Sequence, residues 1–310
     1  MKFRTEVIIG KQDKDIQHSH RIMTIGSCFA NHLYSFLEKG GFHTVHNPFG
    51  ILFNPLSISK NIHNALDHHE NDKLFVERDG LHFHYDFHSS VFGSNKKELL
   101  ENIQNIQKQF VKNIKETDFL VITFGTTWVY KELNTQEIVA NCHKIPQFHF
   151  QKIGLKLEQL KSIFIDLFKR LLEFNPGLNI VLTVSPVRHV KNGLHENNIS
   201  KSTLLLLTDY LEKSFQEISY FPSYELVLDD LRDYRFFEQD LIHPNAQAVD
   251  YVMEKFSASY FNEKTAKIVQ LSNKLVQLNA HKFLHPNEEN FRKKQHKLAN
   301  LQAEIERLKT

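Results

Sequence analysis

The sequence predicts an α/β fold: a mostly parallel sheet covered by helices on both faces, in three α/β/α layers, followed by a helical C-terminal extension. Three observations carry that expectation. Short apolar runs alternate with amphipathic stretches along most of the 310 residues, the rhythm of strand–helix–strand units whose strands are buried on both faces. Hydrophobic residues make up 41% of the chain and charged residues 24%, a globular composition with ample apolar surface for a core. After about residue 262 the pattern changes. Ile268, Leu271, Leu275 and Leu278 repeat at three-four-three spacing, as do Leu298, Leu301, Ile305 and Leu308. The expected division is therefore 1–262 for the α/β domain and 263–310 for the tail. The tail either packs back on its own domain or pairs with a second copy as a homodimer, and each apolar run is too short to decide for a coiled coil.

Taken in order, a strand is expected at 22–25, a helix at 29–39 and a strand at 42–45. Residues 47–95 break the rhythm. "NPFGILFNP" is rich in turn formers and "LHFHYDFHSSVFG" alternates like a strand, so the stretch reads as an insertion covering one edge of the active face. A helix at 96–113 then leads to a strand at 119–124, and a helix at 156–174 to a strand at 179–184. The "FNPGLNIVLTV" between the last two places Pro176 and Gly177 where a helix must stop. A helix at 199–219, a strand at 225–228 and a helix at 245–259 complete the domain.

Several classes of function are disfavoured. The formal charge of +2 exerts no strong pull on nucleic acid or anionic membrane, and the basic "FRKKQHK" near the end reads as a solvated helix face. No apolar run reaches the length of a membrane span, and "MKFRTEVIIGKQDKD" lacks the apolar core of a signal peptide. Cys28 and Cys142 form no metal pattern or disulfide framework. The expected setting is cytoplasmic.

Two stretches carry candidate chemistry. In "RIMTIGSCFANHLY" a strand runs into a helix with only Gly26, Ser27 and Cys28 between them. Such a corner lifts one side chain above the sheet and aims the first helical N–H groups at whatever binds there. Its plainer meaning is a turn glycine followed by a helix N-cap. The neighbouring Cys28 is expected to turn into the first helical turn as a packing residue. In "EQDLIHPNAQAVDYVMEKF" Asp240 precedes His243 by three residues on a loop entering a helix. An aspartate so placed can orient an imidazole and leave its other nitrogen free to take a proton from a hydroxyl, although Pro244 at the first helical position would also suit a simple helix start. The two stretches follow the first and the last strand, and in a doubly wound sheet both fall on the C-terminal edge, where ligands bind. The second "LHPN", at 284–287, lacks the aspartate and carries no catalytic weight.

With these strings in place, the sequence resembles the GSCFA family, within the SGNH (GDSL-like) hydrolase superfamily. "GSCFA" stands at 26–30, and "DLIHPN" resembles the superfamily's final D-x-x-H-P block. The resemblance covers roughly residues 1 to 260. It implies an SGNH-hydrolase-like fold and an esterase, deacetylase-like in character, with Ser27 as nucleophile, His243 as general base and Asp240 as its orienting partner. It further implies an oxyanion hole from the Ser27 N–H, the Gly50 N–H of "NPFG" and a side chain in the third block. There "TFGTTWVY" supplies Gly125, with Thr127 where the superfamily has asparagine. Gly26 also departs from the pattern, standing where G-D-S carries aspartate. No cofactor is required by such a mechanism. The substrate it implies is a small-molecule or carbohydrate acyl ester, and transfer of the acyl group to a second hydroxyl is the alternative outcome at the same site.

Other candidates accompany these. His82, His84, Asp86 and His88 alternate, so a continuous strand would turn all four to one face and offer a metal site for a metal-dependent hydrolase. His88, in a His-Ser pair that the family also resembles, is a candidate substrate contact, together with Gly125. "VSPVRH" at 184–189 follows a strand, which puts Arg188 and His189 on the active edge as candidate contacts for a polar or acidic group. A non-catalytic binding module on the same fold is the remaining alternative.

Overall fold

The computed structural model describes residues 4–281, 283 and 287–309; most of the second "LHPN" lies outside them. The centre is a five-stranded, wholly parallel sheet of β1 (Arg21–Gly26), β2 (His43–His46), β6 (Phe119–Phe124), β10 (Asn179–Val184) and β11 (Ile218–Tyr220), in the order β11-β10-β6-β1-β2. Because side chains alternate along each strand, Met23, Ile25, Leu120, Ile122, Ile180 and Leu182 enter one apolar cluster while Ile22, Phe119, Val121 and Val181 enter another. The first cluster is closed by α2 (Pro55–Asp67), α3 (Lys96–Lys115), α4 (Leu157–Phe174) and α5 (Leu194–Ser214). The second is closed by α1 (Cys28–Lys39) and α7 (Ala246–Tyr260), with Val269 of α8 (Glu263–Ala280) added. These are the expected three layers.

Strand order reverses around β1: the chain pairs β2 on one side and returns to place β6 on the other. The crevice beyond the C-terminal ends of β1 and β6 is thus the topological switch point, where open α/β sheets bind ligands. Gly26, the last residue of β1, opens directly onto it.

Two expectations about elements are corrected. The run at 225–228 is not a strand. A short helical turn, α6 (Ser223–Glu225), passes into a π-helical turn at Leu226–Asp230, and the fifth strand lies earlier, at β11. A four-residue apolar run is equally compatible with a buried helical turn, and Leu226 and Val227 are indeed buried. Correspondingly α5 ends at Ser214, short of 219. Within 47–95 the chain contains a full helix, α2, for which Asn54 accepts the Ser57 N–H at 2.8 Å and Pro55 takes the first position. The remainder forms a small antiparallel sheet of β3 (Phe75–Arg78), β4 (Leu81–His84) and β5 (Phe92–Gly93). A second, of β7 (Trp128–Glu132), β8 (Ile138–Val139) and β9 (Phe150–Gly154), follows β6. In the tail, Ile268 and Leu271 of α8 pack on Ile305 of α9 (Glu288–Lys309), with Leu275, Leu301 and Leu308 around them.

Candidate active site

The corner after β1 is built on Gly26. Its φ is +142°, and a Cβ there would stand 2.3 Å from the Thr123 carbonyl oxygen of the adjacent β6. No other residue fits without moving that strand. The Gly26 N–H donates to Asn47 Oδ1 at 2.8 Å. Asn47 N–H donates to Thr24 O at 2.8 Å, and Asn47 Nδ2 donates to Asn31 Oδ1 at 3.1 Å. One buried amide therefore ties β1, the start of α1 and the loop after β2 together.

Ser27 is the N-cap of α1, yet its side chain makes no capping bond. The Oγ is buried and has no hydrogen-bond partner among the described residues. A buried hydroxyl left unpaired at a helix N-terminus is uncommon enough to need a reason. Its N–H donates to Thr123 O at a long 3.3 Å. Cys28 beside it is half-buried and free.

The loop before α7 is held closed by its own backbone. Phe237 bridges to Pro244, the Glu238 N–H donates to His243 O at 2.7 Å, and Asn245 caps α7 through the Ala248 N–H at 3.1 Å. Within it, Asp240 Oδ1 accepts the N–H groups of Ile242 and His243 at 2.9 and 3.0 Å, and Oδ2 lies 2.6 Å from His243 Nδ1. The backbone N–H of His243, then its imidazole, then the N–H of Ile242 hold the Asp240 carboxyl down to about 2. An ionised carboxylate beside Nδ1 accepts a hydrogen bond from Nδ1–H, which keeps the ring proton there and leaves Nε2 as the basic nitrogen. Among the described residues Nε2 has no hydrogen-bond partner. In particular, no hydrogen bond joins it to Ser27 Oγ in this structure.

Two histidines lie near this imidazole. His32, on α1, has its pKa lowered by burial first and by the charge of His243 second. His189 is pushed down to about 4 by burial, then by the charges of Lys201 and His243. The His189 ring lies 5.8 Å from that of Phe53, and its Nε2 would be 3.6 Å from a Cβ on Gly125. His189, Gly125 and the 53–54 loop thus meet, and the Gly125 and Thr126 N–H groups both donate to Phe53 O.

The other candidates divide. The Gly50 N–H closes a turn by donating to Asn47 O at 2.8 Å, so as the structure stands it is committed within the protein. The Thr127 N–H donates to Ser200 Oγ at 2.8 Å, and its side chain is buried on the loop leaving β6. His88 packs on the same turn, its Cβ 2.4 Å from where a Gly50 Cβ would be. Arg188 lies with its guanidinium over the Phe237 ring, 5.6 Å from the centroid.

The metal alternative is corrected. The strand carrying the histidines ends at His84 and the chain turns, so the alternation does not continue. Both His84 ring nitrogens are engaged, with Asn71 O and the Asp86 N–H, while Asp86 is buried and paired with Lys60 at 2.9 Å. His82 points instead toward Glu77, and His88 Nδ1 toward Ser90. Among the described residues no three His, Cys, Asp or Glu side chains converge as ligands.

Sequence reasoning missed Asn47 and Lys201. Asn47 is visible only as the first letter of a turn-rich "NPFG". Lys201 lies in α5, where a lone lysine is expected in solvent. It is instead fully buried, donating to the carbonyls of Gly125 and Ser185 at 2.6 Å each.

Comparison with known proteins agrees with the strings at both ends of the site. The sequence model of the GSCFA family matches residues 21–256, from the first strand to the helix after His243. The chain belongs to the GSCFA family. Solved structures similar to this GSCFA protein include one from Bacteroides fragilis, described provisionally as an acylhydrolase, at 10% identity and a TM-score of 0.38, covering 83% of this chain and 91% of the other. A carbohydrate esterase family 3 protein from Talaromyces cellulolyticus is 8% identical with a TM-score of 0.36, covering 82% and 99%. A GDSL-like lipase, again a provisional description, from Parabacteroides merdae is 9% identical with a TM-score of 0.38, covering 87% and 99%. Likenesses this distant carry no argument about activity. No curated protein sequence matches. No helix among the described residues is long and apolar enough to cross a membrane.

Proposed function

We propose that this GSCFA protein is a serine hydrolase that cleaves O-acyl esters, such as an acylated carbohydrate, through a Ser27 acyl-enzyme. One observation supports the reading: Ser27 Oγ, directly after β1, is buried with no partner among the described residues, and the charge of the Asp240-oriented His243 reaches His32 on the helix that Ser27 caps and His189 beside Gly125. In the reaction Oγ attacks the acyl carbon while Nε2 takes the hydroxyl proton. The tetrahedral oxyanion is held by the Ser27 N–H, once released from its long bond to Thr123 O, and by the Thr127 hydroxyl, with the Gly50 N–H joining if its turn opens. Collapse breaks the ester bond, and the imidazolium returns the proton to the departing alcohol. Water then attacks the acyl-enzyme under the same base and releases the acid. Catalytic hydrogen bonds are often long before substrate binds, so closure of Nε2 onto Oγ belongs to the complex. A bound acceptor hydroxyl in place of water would make the same site an O-acyltransferase.

The test is covalent labelling with a fluorophosphonate, mapped by mass spectrometry, on wild type and His243→Ala. Label on Ser27 that disappears without His243 is the expected result. Absence of label on Ser27 overturns the reading and favours a non-catalytic binding module, which the unmade Ser27–His243 bond and the committed Gly50 N–H would then explain.

A further inference from the structure

We infer that the catalytic loop carries a recognition site for an anionic group on the substrate, built on Arg188 and Arg232. The inference rests on the hydrolase reading for what the site serves, though not for its existence. Behind Phe237 lies a cavity of about 110 Å³ lined by Arg188, Val227, Leu228, Arg232, Tyr234 and Phe237. That is on the order of three or four water volumes, the scale of a carboxylate or phosphate group.

The chemistry of the lining is unbalanced. Arg188 Nε is buried and has no hydrogen-bond partner. Among the described residues neither Arg188 nor Arg232 makes an ion pair, whereas Arg235, on the same loop, is paired with Asp233. Glu225, a nearby acid, is engaged by the Tyr220 hydroxyl at 2.8 Å. The part-buried Arg188 guanidinium lies over the Phe237 ring, a cation–π contact that favours one placement of its fork. Val227 and Leu228 supply apolar walls, and both are more than half shielded from solvent, which strengthens any charge pairing inside. A planar cation that lines a small cavity and makes no ion pair among the described residues is completed there by an oxyanion, which can accept from two guanidinium nitrogens at once.

Position links the cavity to the chemistry. Phe237 bridges to Pro244, next to His243, and Arg188 precedes His189, whose ring touches the Gly125 corner. An anionic group held there belongs to a substrate whose ester lies at the loop's other face. The substrate class is therefore an acyl ester that also bears a carboxylate or phosphate, such as an O-acetylated acidic sugar.

The experiment compares O-acetyl glucuronate with O-acetyl glucose on wild type, Arg188→Gln and Arg232→Gln, the latter at an exposed position that tolerates change. Wild type is expected to prefer the anionic ester. The ratio of the two kcat/KM values should fall about ten- to a hundredfold in Arg188→Gln, through KM, which is the scale of one lost charge-assisted hydrogen bond, and by a smaller factor in Arg232→Gln. No preference in wild type, or a loss shared equally by both esters, overturns the proposal. If neither ester is turned over, labelling of Ser27 decides whether the hydrolase reading stands, and titration calorimetry with inorganic phosphate decides the anion site alone. Phosphate binding that Arg188→Gln abolishes upholds an anion site, and no binding overturns it. Phosphate binding without ester preference in an active enzyme assigns the cavity to a free anion and overturns recognition of substrate.

Discussion

Gly26 sets the active corner because its backbone lies where an L residue is strained and where a Cβ would collide with the Thr123 carbonyl. Gly26→Ala is therefore expected to cost about 1–3 kcal/mol from the dihedral alone, with more from displacement of β6, measured as a lower midpoint in urea. An unchanged midpoint would mean that the corner has a second conformation. Asp240 acts at the same scale through a single carboxylate. Asp240→Asn keeps the size of the side chain but removes the charge that fixes the imidazole's tautomer, and under the proposed esterase reading kcat should drop by roughly 10³–10⁴. The carboxyl is held down to about 2, so it stays ionised well into acid and Asp240 itself should add no inflection to the pH–rate profile above pH 4. The Gly26 corner and the Asp240–His243 pairing were legible in the sequence because each lies in a short string whose geometry is local. Asn47 was not, since its role depends on bonds to Gly26, Thr24 and Asn31, which meet only after β1 and β2 have paired.

Elements were legible to the extent that their signal was periodic. The strands at 119–124 and 179–184 are long and buried on both faces, and they appear with the expected bounds. The fifth strand failed because Ile218–Tyr220 is three residues long, while the apolar Leu226 and Val227 pack as a helical turn. Lys201 shows what no pattern could reveal: it joins three elements at once. From α5 it bonds the carbonyls that end β6 and β10, and so holds the loops bearing Thr127 and His189. Burial pushes its amine down to about 7. Below that pH both folded and unfolded chains hold the proton, and the folded state bears the full cost of a buried ammonium. Between about 7 and the ordinary lysine value the unfolded chain binds more protons, so stability rises with pH. Urea midpoints of the wild type should accordingly increase from pH 7 to pH 9.5 in excess of Lys201→Met. That variant leaves two carbonyls unpaired, at about 1–3 kcal/mol each, offset at pH 7 by removal of the buried charge. Parallel pH dependences in the two proteins would show that Lys201 remains protonated in the fold.

At the scale of the whole molecule, the two tail helices have different attachments. Val269 of α8 belongs to the same apolar cluster as Phe42, Phe261 and the strands of the central sheet. By contrast, α9 meets the protein chiefly through α8, where Ile305 covers Ile268 and Leu271. Six of the apolar residues that the sequence offered for pairing, Ile268, Leu271, Leu275, Leu301, Ile305 and Leu308, pack against one another within one chain. Two truncations separate these attachments. A chain ending at residue 281 loses α9 and uncovers Ile268 and Leu271, so it should still fold but self-associate, seen as a concentration-dependent increase in sedimentation coefficient. Because every element bearing Ser27, Asp240 and His243 remains, its Ser27 reactivity toward a fluorophosphonate should match that of the full chain. A chain ending at residue 262 also loses α8 and uncovers part of the second core cluster. Deletion of a buried valine's contacts alone costs on the order of 1 kcal/mol or more, and the loss of the whole helical face should lower the melting temperature steeply. Equal melting temperatures for the two truncations would mean that α8 is as loosely held as α9. Loss of Ser27 reactivity on removing α9 alone would mean that the tail reaches the active edge through the groove between α1, α7 and α8, which runs from Pro244 to Gln277.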